Sequence, residues 1–320
     1  MNYSLNKNNP VLSIAIPTFN RHDYLIENLN NLLPQLKSYG NEIELLISDN
    51  CSDVNPEDEL LELSAKHGVK LRFFRQESNI GPKSNNLFLF SKVKGDYVFL
   101  MGDDDILSPN FVDVIVPILR SRKYGIIHFG RLNGDAKCSN TKMHDSIYVQ
   151  SIEEYSIGDF IKRVLSSPNF MSSIIINKEC IELGSKYNVE DYKGYKWLGN
   201  FLFGAIELGK PGLYYYFPLV IMRNPSRSWD NLWPYFAIVG MSNLFRDIDL
   251  KVPGVYKKWL ERLHDDRYYE MELMLSSVYN DKAFYKTQKR EFYPHLTKYE
   301  RRFFNYWLWT PIPKISKKVY

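Results

Sequence analysis

At 320 residues the chain can bury a large core, and 44% apolar with 24% charged content excludes a disordered or collagen-like protein. The formal net charge is +4, but eight Lys/Arg against two Glu from Lys289 onward give that tail +6 and the rest −2. A nucleic-acid-binding body, which needs a broad basic face, is thereby disfavoured. Cys51, Cys138 and Cys180 form neither an even-numbered framework nor a ligand-spaced cluster, so a reducing, cytoplasmic setting is expected. With no signal peptide and no apolar run of bilayer length, the expectation is a soluble or peripheral protein. Aromatic content of 15% suits a ligand cleft or an amphipathic contact surface.

In chain order, Val11 to Ile16 reads as a strand closed by Pro17-Thr18, with a turn through Asn20-Arg21-His22-Asp23. Leu25, Leu29, Leu32, Leu33 and Leu36 then recur at helical spacing. Glu42 to Ile47 is a second strand, ending in the polar turn Ser48 to Asp53. A helix follows Pro56 and stops near Gly68, Val69 to Phe74 is a third strand, and Asn79-Ile80-Gly81-Pro82 opens another helix. The fourth strand, Tyr97 to Met101, meets Gly102 and then Asp103-Asp104-Asp105. Three adjacent acids repel one another, so the tip is either a divalent-cation site of hard oxygen ligands or a polar turn capping the next helix. Phe111, Ile115, Ile118 and Leu119 mark that helix, and Ile126 to Phe129 a fifth strand.

Strands alternating with helices over about 130 residues predict an α/β fold with a Rossmann-like, mostly parallel sheet. Ligands of such sheets bind beyond the C-terminal strand ends, where Pro17 to Arg21, Ser48 to Asp53 and Gly102 to Asp105 all fall. No GxGxxG, GxxxxGK[ST] or GxSxG is present, which disfavours nicotinamide binding, P-loop hydrolysis and an α/β-hydrolase elbow. Beyond residue 131 the regularity fades. A β-like segment at Ile147 to Val149, a helix near Phe160, a strand at Ser172 to Ile176, an aromatic helix from Tyr195 to Phe203 and a strand from Tyr214 to Val220 are expected. From about residue 230 onward the pattern is helical.

Four stretches together resemble one family: Ser13 to Arg21, Leu46 to Asp53, Asn79-Ile80-Gly81 and Gly102 to Asp105 are similar to the signatures of the inverting, GT-A-fold glycosyltransferase family 2. The resemblance covers roughly residues 11–130, and extends to bacterial O-antigen and capsule sugar transferases, including abequosyltransferase-like enzymes. It implies a GT-A catalytic domain over 1–230 (nucleotide part 11–131, acceptor part 132–230) and a helical C-terminal region over 231–320. It also implies transfer of a sugar from a nucleoside-diphosphate sugar to a saccharide acceptor, in the polysaccharide setting a polyprenyl-diphosphate-linked one. Carried over residue by residue, Pro17, Thr18, Asn20 and Arg21 lie against the nucleotide, and Asp49 bonds the base. Asn79 and Gly81 start the helix beneath it, with Lys83 a candidate near the diphosphate. Asp103, Asp104 and Asp105 form the Mn²⁺ or Mg²⁺ site, Asp104 being favoured as direct ligand, Asp103 placed toward the ribose or a metal-bound water, and Asp105 supporting the metal or capping the following helix. Gly102 stands where many members carry an acid.

Inverting transfer needs one carboxylate as general base toward the acceptor hydroxyl. Asp191, in a Glu-Asp pair before an aromatic helix, resembles the family's base, with helix capping as the plain alternative and Asp230 as the other candidate. Arg223, Arg227 or Trp229 could hold phosphate or sugar. His22, His128 and His144 show no zinc-ligand spacing. In the tail, Arg301 to Trp309 followed by Lys314, Lys317 and Lys318 suits an anionic membrane surface, which would place the protein peripherally on the inner face of the cytoplasmic membrane. Packing of Phe303, Trp307 and Trp309 on the helical region is the alternative. The competing classes are a nucleotidylyltransferase-like enzyme, whose Gly-rich opening loop is absent here, and a GT-A-fold binding protein without transferase activity.

Overall fold

The computed structural model describes residues 9–134, 152–163, 170–187, 192, 195–223, 235–265 and 281–309. Two compact units result, one of residues 1–189 with 197–225 and one of 190–196 with 226–320.

The first unit is built on one sheet. Its strands are β1 (Leu12–Thr18), β2 (Ile43–Asp49), β3 (Leu71–Arg75), β4 (Tyr97–Leu100), β5 (Ile106–Leu107), β6 (Ile126–Asn133), β7 (Ile152–Tyr155), β8 (Ile174–Asn177) and β9 (Gly212–Met222). The spatial order is β3-β2-β1-β4-β8-β6-β9-β5, with β7 also on β9. β3, β2, β1 and β4 run parallel, β8 is antiparallel to both β4 and β6, and β9 is parallel to β6. The two reversals about β8 cancel, so β6 and β9 point the same way as β1 to β4. The C-terminal ends of those strands and the N-terminal end of β8 therefore share one sheet edge.

Central strands β1, β2 and β4 are buried on both faces, which explains their largely apolar sequences; the buried exceptions Ser13 and Glu44 satisfy each other, the hydroxyl donating to the carboxylate at 2.6 Å. Helix α1 (His22–Leu36) lays Leu25, Leu29, Leu32, Leu33 and Leu36 on the sheet. Helix α2 (Glu57–Lys66) follows β2 and α3 (Pro82–Lys92) follows β3. Helix α4 (Phe111–Arg120) adds Phe111, Val112, Ile115, Val116 and Leu119 to the core shared with α1. At its centre Phe99, Phe111 and Phe129 meet with ring centroids 5.2–5.8 Å apart, spacings typical of favourable aromatic pairs.

Beyond β6 come α5 (Ile157–Arg163), α6 (Lys178–Gly184) and α7 (Lys196–Leu208). Helices α6 and α7 meet backbone to backbone: a Cβ on Gly204 would lie 1.8 Å from the Cys180 carbonyl oxygen, and one on Gly184 1.9 Å from that of Asn200. Only hydrogen fits at both positions.

The second unit is helical among its described residues. A π-helical turn, Tyr235–Gly240, leads into α8 (Met241–Asp249), followed by α9 (Val255–Asp265), α10 (Lys282–Phe292) and α11 (Lys298–Trp309). Tyr285, Phe292 and Phe304 form its aromatic centre, each fully buried. Ile147 to Val149 and residues 310–320 lie outside the described residues.

Candidate active site

Three polar turns meet where the parallel strands end. Thr18 closes β1, Asp49 closes β2, and the chain leaves β4 through Gly102 into the acidic triplet. Pro17 and Thr18 sit in register with Ser48 and Asp49, so the first two turns are side by side. Asn20, with φ at 53°, ties them together. Its amide N–H donates to Ser52 Oγ at 2.8 Å, and its Oδ1 accepts from the Asp53 N–H at 2.9 Å. Thr18, Arg21, Asp23, Tyr24 and Ser52 line a cleft of about 390 Å³ there.

Asp103, Asp104 and Asp105 are each at least 94% buried. Thr18 Oγ1 donates to Asp103 Oδ2 at 2.8 Å. Arg21, at the start of α1, pairs through Nη1 with Asp104 and, at 3.4 Å, with Asp103. Burial first and the Asp104 charge second push the Asp103 carboxyl up to about 7, against the pull of Arg21 and Thr18. Burial works against the Arg21 charge, but Asp103 and Asp104 outweigh it and hold the guanidinium more firmly protonated than usual.

Asp105 turns differently. Its Oδ2 accepts from Ser172 Oγ at 2.5 Å, and the same hydroxyl accepts from the Gly102 N–H at 2.8 Å. A Cβ at Gly102 would sit 2.7 Å from Asp105 Oδ2 and 3.2 Å from Asp104 Oδ1. Any larger residue there would have to push those side-chain oxygens aside. From the helix side, Asn28 Nδ2 donates to the carbonyl oxygens of Gly102 and Asp105 at 3.1 and 2.9 Å.

Asp49 is fully buried. Ser52 donates to it from both its N–H and its hydroxyl, and Arg75 Nη1, at the end of β3, pairs with its Oδ2 at 2.6 Å. Asn79 Oδ1 accepts from Asn50 Nδ2 and from the Gly81 N–H, both at 2.9 Å, which fixes the approach to α3. Lys83 is exposed in the first turn of that helix. Arg223, beyond β9 on the same edge, is 1% exposed; it donates to Glu27 Oε2 at 2.7 Å, with its guanidinium carbon 5.3 Å from the Tyr24 ring centroid. His22 pairs with Glu59, and His128 contacts Ser173 and stacks on Tyr214.

Pro17, Thr18, Asn20, Arg21, Asp49, Asp103, Asp104 and Asp105 thus converge on one edge, with Asn79 and Gly81 beside the second turn through Asn50. Asp191, Asp230, Arg227 and Trp229 lie outside the described residues. Their neighbour Tyr192, buried with φ at 44°, donates its hydroxyl to Asp247 at 2.8 Å. Asn28, Arg75 and Ser172 were not expected from the sequence. Asn28 had a signal, being a polar residue within the leucine stripe of α1, and Arg75 had its strand-end position. Ser172 had none.

The acid pair offers oxygen donors only, the chemistry suited to Mg²⁺ or Mn²⁺. Among the described residues no group of three or more His, Cys, Asp or Glu side chains forms a complete cation cage.

The profile of glycosyl transferase family 2 matches residues 13–181, more than half of the chain. Abequosyltransferase RfbV of Salmonella typhimurium is 33% identical over 112 residues, 35% of this chain and 33% of the relative, so the chain spans about a third of that curated relative's length. Among solved structures, S. aureus TarS 1-349 in complex with UDP-GlcNAc aligns with a TM-score of 0.59 at 13% identity, over 92% of this chain and 86% of that one. Mannosyltransferase PcManGT from Pyrobaculum calidifontis, in complex with GDP-Man and Mn²⁺, aligns with a TM-score of 0.55 at 14% identity, over 94% and 86%. These likenesses show the fold, an α/β GT-A architecture with a helical C-terminal region. Every turn that builds the cleft falls inside the matched stretch, and the chain belongs to glycosyl transferase family 2.

Proposed function

We propose that this chain is a metal-dependent, inverting glycosyltransferase that moves a sugar from a nucleoside-diphosphate sugar to a saccharide acceptor. The observation that carries the reading is the meeting of Thr18, Arg21, Asp103 and Asp104 at the strand ends, beside the Asp49–Arg75 pair. Family membership supports it, as do UDP-GlcNAc and GDP-Man in the similar TarS and PcManGT structures. In the division of labour proposed, residues 11–131 bind the nucleotide, 132–230 the acceptor, and 231–320 form the helical C-terminal region.

Asp103 and Asp104 would hold Mn²⁺ or Mg²⁺, which when bound stabilises the charge that grows on the departing diphosphate. Asp105, held by Ser172, keeps the turn in shape. Arg75, pinned by the fully buried Asp49, would present a fixed polar edge to the base, and Asn20 keeps the first two turns in register. Asp191 is proposed to take the proton from the attacking hydroxyl, with Asp230 the alternative, a contribution of roughly 10²–10⁴-fold. Attack opposite the leaving group inverts the anomeric carbon. The acceptor proposed is an O-antigen or capsule saccharide carried on a polyprenyl diphosphate; the likeness to abequosyltransferase RfbV supports sugar transfer.

The test is release of nucleoside diphosphate from a panel of nucleotide sugars with Mn²⁺, with and without saccharide acceptors. Turnover lost in D104A supports the reading. Binding of nucleotide sugar with no turnover toward any acceptor would instead identify a binding protein of this fold.

A further inference from the structure

Helix α11 is two-faced. Phe304 and Leu308 are buried at 0% and 1% exposure, whereas Tyr299, Tyr306 and Trp309 are 70%, 59% and 65% exposed. Arg302 is exposed as well. Positions 299, 302, 306 and 309 are spaced three, four and three residues apart, so they share one helix face. That stripe runs about 15 Å at about 1.5 Å per residue. Lys286 Nζ, from α10, stands 4.5 Å from the centroid of the Trp309 ring and extends the stripe with a second cation.

Three aromatic side chains thus keep more than half of their surface in solvent along one face. Their rings combine an apolar body with a polar tip, which suits the headgroup layer of a bilayer. The cations beside the rings, Arg302 and Lys286, match the negative surface of an anionic bilayer. Glu300 lies off the face, its carboxylate accepting from the Thr297 N–H. The segment from Lys289 onward carries +6, and Lys314, Lys317 and Lys318 follow the helix in the sequence. No helix among the described residues is long and apolar enough to cross a membrane. We infer that the Tyr299–Arg302–Tyr306–Trp309 face of α11, with Lys286, lies on the surface of an anionic phospholipid bilayer, aromatic rings at headgroup depth and cations on lipid phosphates. For its purpose, catalysis on a lipid-carried acceptor, the inference rests on the proposed function; the surface contact itself does not.

The experiment is co-sedimentation of the full chain with phosphatidylglycerol and with phosphatidylcholine vesicles, alongside a Y299S/Y306S/W309S variant and R302E. Expected are binding to phosphatidylglycerol, at least tenfold weaker binding to phosphatidylcholine, and at least tenfold loss in the triple variant. R302E should lose more than the roughly fivefold that removal of one surface cation costs. Hydrolysis of a nucleotide sugar in solution should be the same in all three proteins. Equal partition of wild type and triple variant, or equal binding to both lipids, overturns the inference. So does a wild-type dimer in sedimentation velocity that the triple variant abolishes, since the stripe would then be a self-association surface. Vesicle binding without turnover of any nucleotide sugar would leave the lipid contact standing and remove the transferase reading.

Discussion

Replacing Asn28 should destabilise the first unit out of proportion to the size of the change. Its side chain is 1% exposed and donates both amide hydrogens, one to Gly102 O and one to Asp105 O. N28A strands two carbonyl oxygens in the buried turn, and each unpaired group costs about 1–3 kcal/mol. Allowing for water entering the vacated space, the expected loss is about 2–4 kcal/mol, a large share of the roughly 5–15 kcal/mol that holds a domain together. N28D keeps the shape but replaces the donor with an acceptor facing two carbonyls, so it should lose more than N28A. Urea unfolding followed by near-ultraviolet circular dichroism gives both values from the shift in midpoint at unchanged slope. A loss below about 0.5 kcal/mol for N28A, or N28D more stable than N28A, would refute the role given to the amide.

Further outcomes follow from single contacts. G204A should cost about 3 kcal/mol or more, because its Cβ would meet the Cys180 carbonyl at 1.8 Å and backbone cannot step aside cheaply; an unchanged melting temperature would contradict that crossing. Burial, with a smaller push from Arg246, lowers the His295 imidazole from 6.5 to about 4. The unfolded chain therefore binds the extra proton first: this contribution is complete above about pH 6.5 and is lost as pH falls toward about 4. Thermal unfolding across that range should show a decline that H295Q flattens, and parallel curves would exclude the assignment. D191N should lose at least about 10²-fold in sugar transfer while keeping its affinity for nucleotide sugar and Mn²⁺, with D230N near wild type; the reverse pattern moves the base to Asp230.

The parallel half of the sheet was legible because burial on both faces leaves a largely apolar run that polar turns must end. Leu12 to Thr18 and Ile43 to Asp49 have no other reading at their length. The meeting of the Thr18, Asp49 and Asp103 turns followed from strand direction alone, since parallel strands put all C-terminal ends on one edge. What came from β8 was hidden. Ser172 reaches Asp105 only because β8 enters antiparallel beside β4, and no local pattern states that order. Arg223 was named as a candidate for phosphate or sugar, but its delivery to that edge by β9 and its lock to Glu27 some 196 residues away have no local signal. Gly184 and Gly204 look like ordinary helix residues until α6 and α7 are set against each other. Asp49 shows the opposite difficulty. Its place was readable, yet its complete burial depends on Arg75 closing over it from β3.

The charge balance at the acidic turn bears on the order in which ligands bind. Two carboxylates, Asp103 and Asp104, face one guanidinium, Arg21. With Asp103 already pushed up to about 7, the turn resists carrying its full negative charge. A diphosphate brought beside it adds charge of the same sign at close range, where interactions between unit charges reach about 4 kcal/mol at 4 Å in a partly screened setting. A divalent cation reverses the sign of that encounter. Affinity for nucleoside diphosphate, measured by calorimetry, should therefore rise at least about tenfold on adding Mn²⁺, since 1.4 kcal/mol of relieved repulsion suffices. In D104N, which removes one carboxylate charge, the apo affinity should rise and the Mn²⁺ effect shrink. Equal affinities with and without Mn²⁺ in the wild type would mean that Arg21 alone balances the turn, and the acids would then serve to hold that arginine.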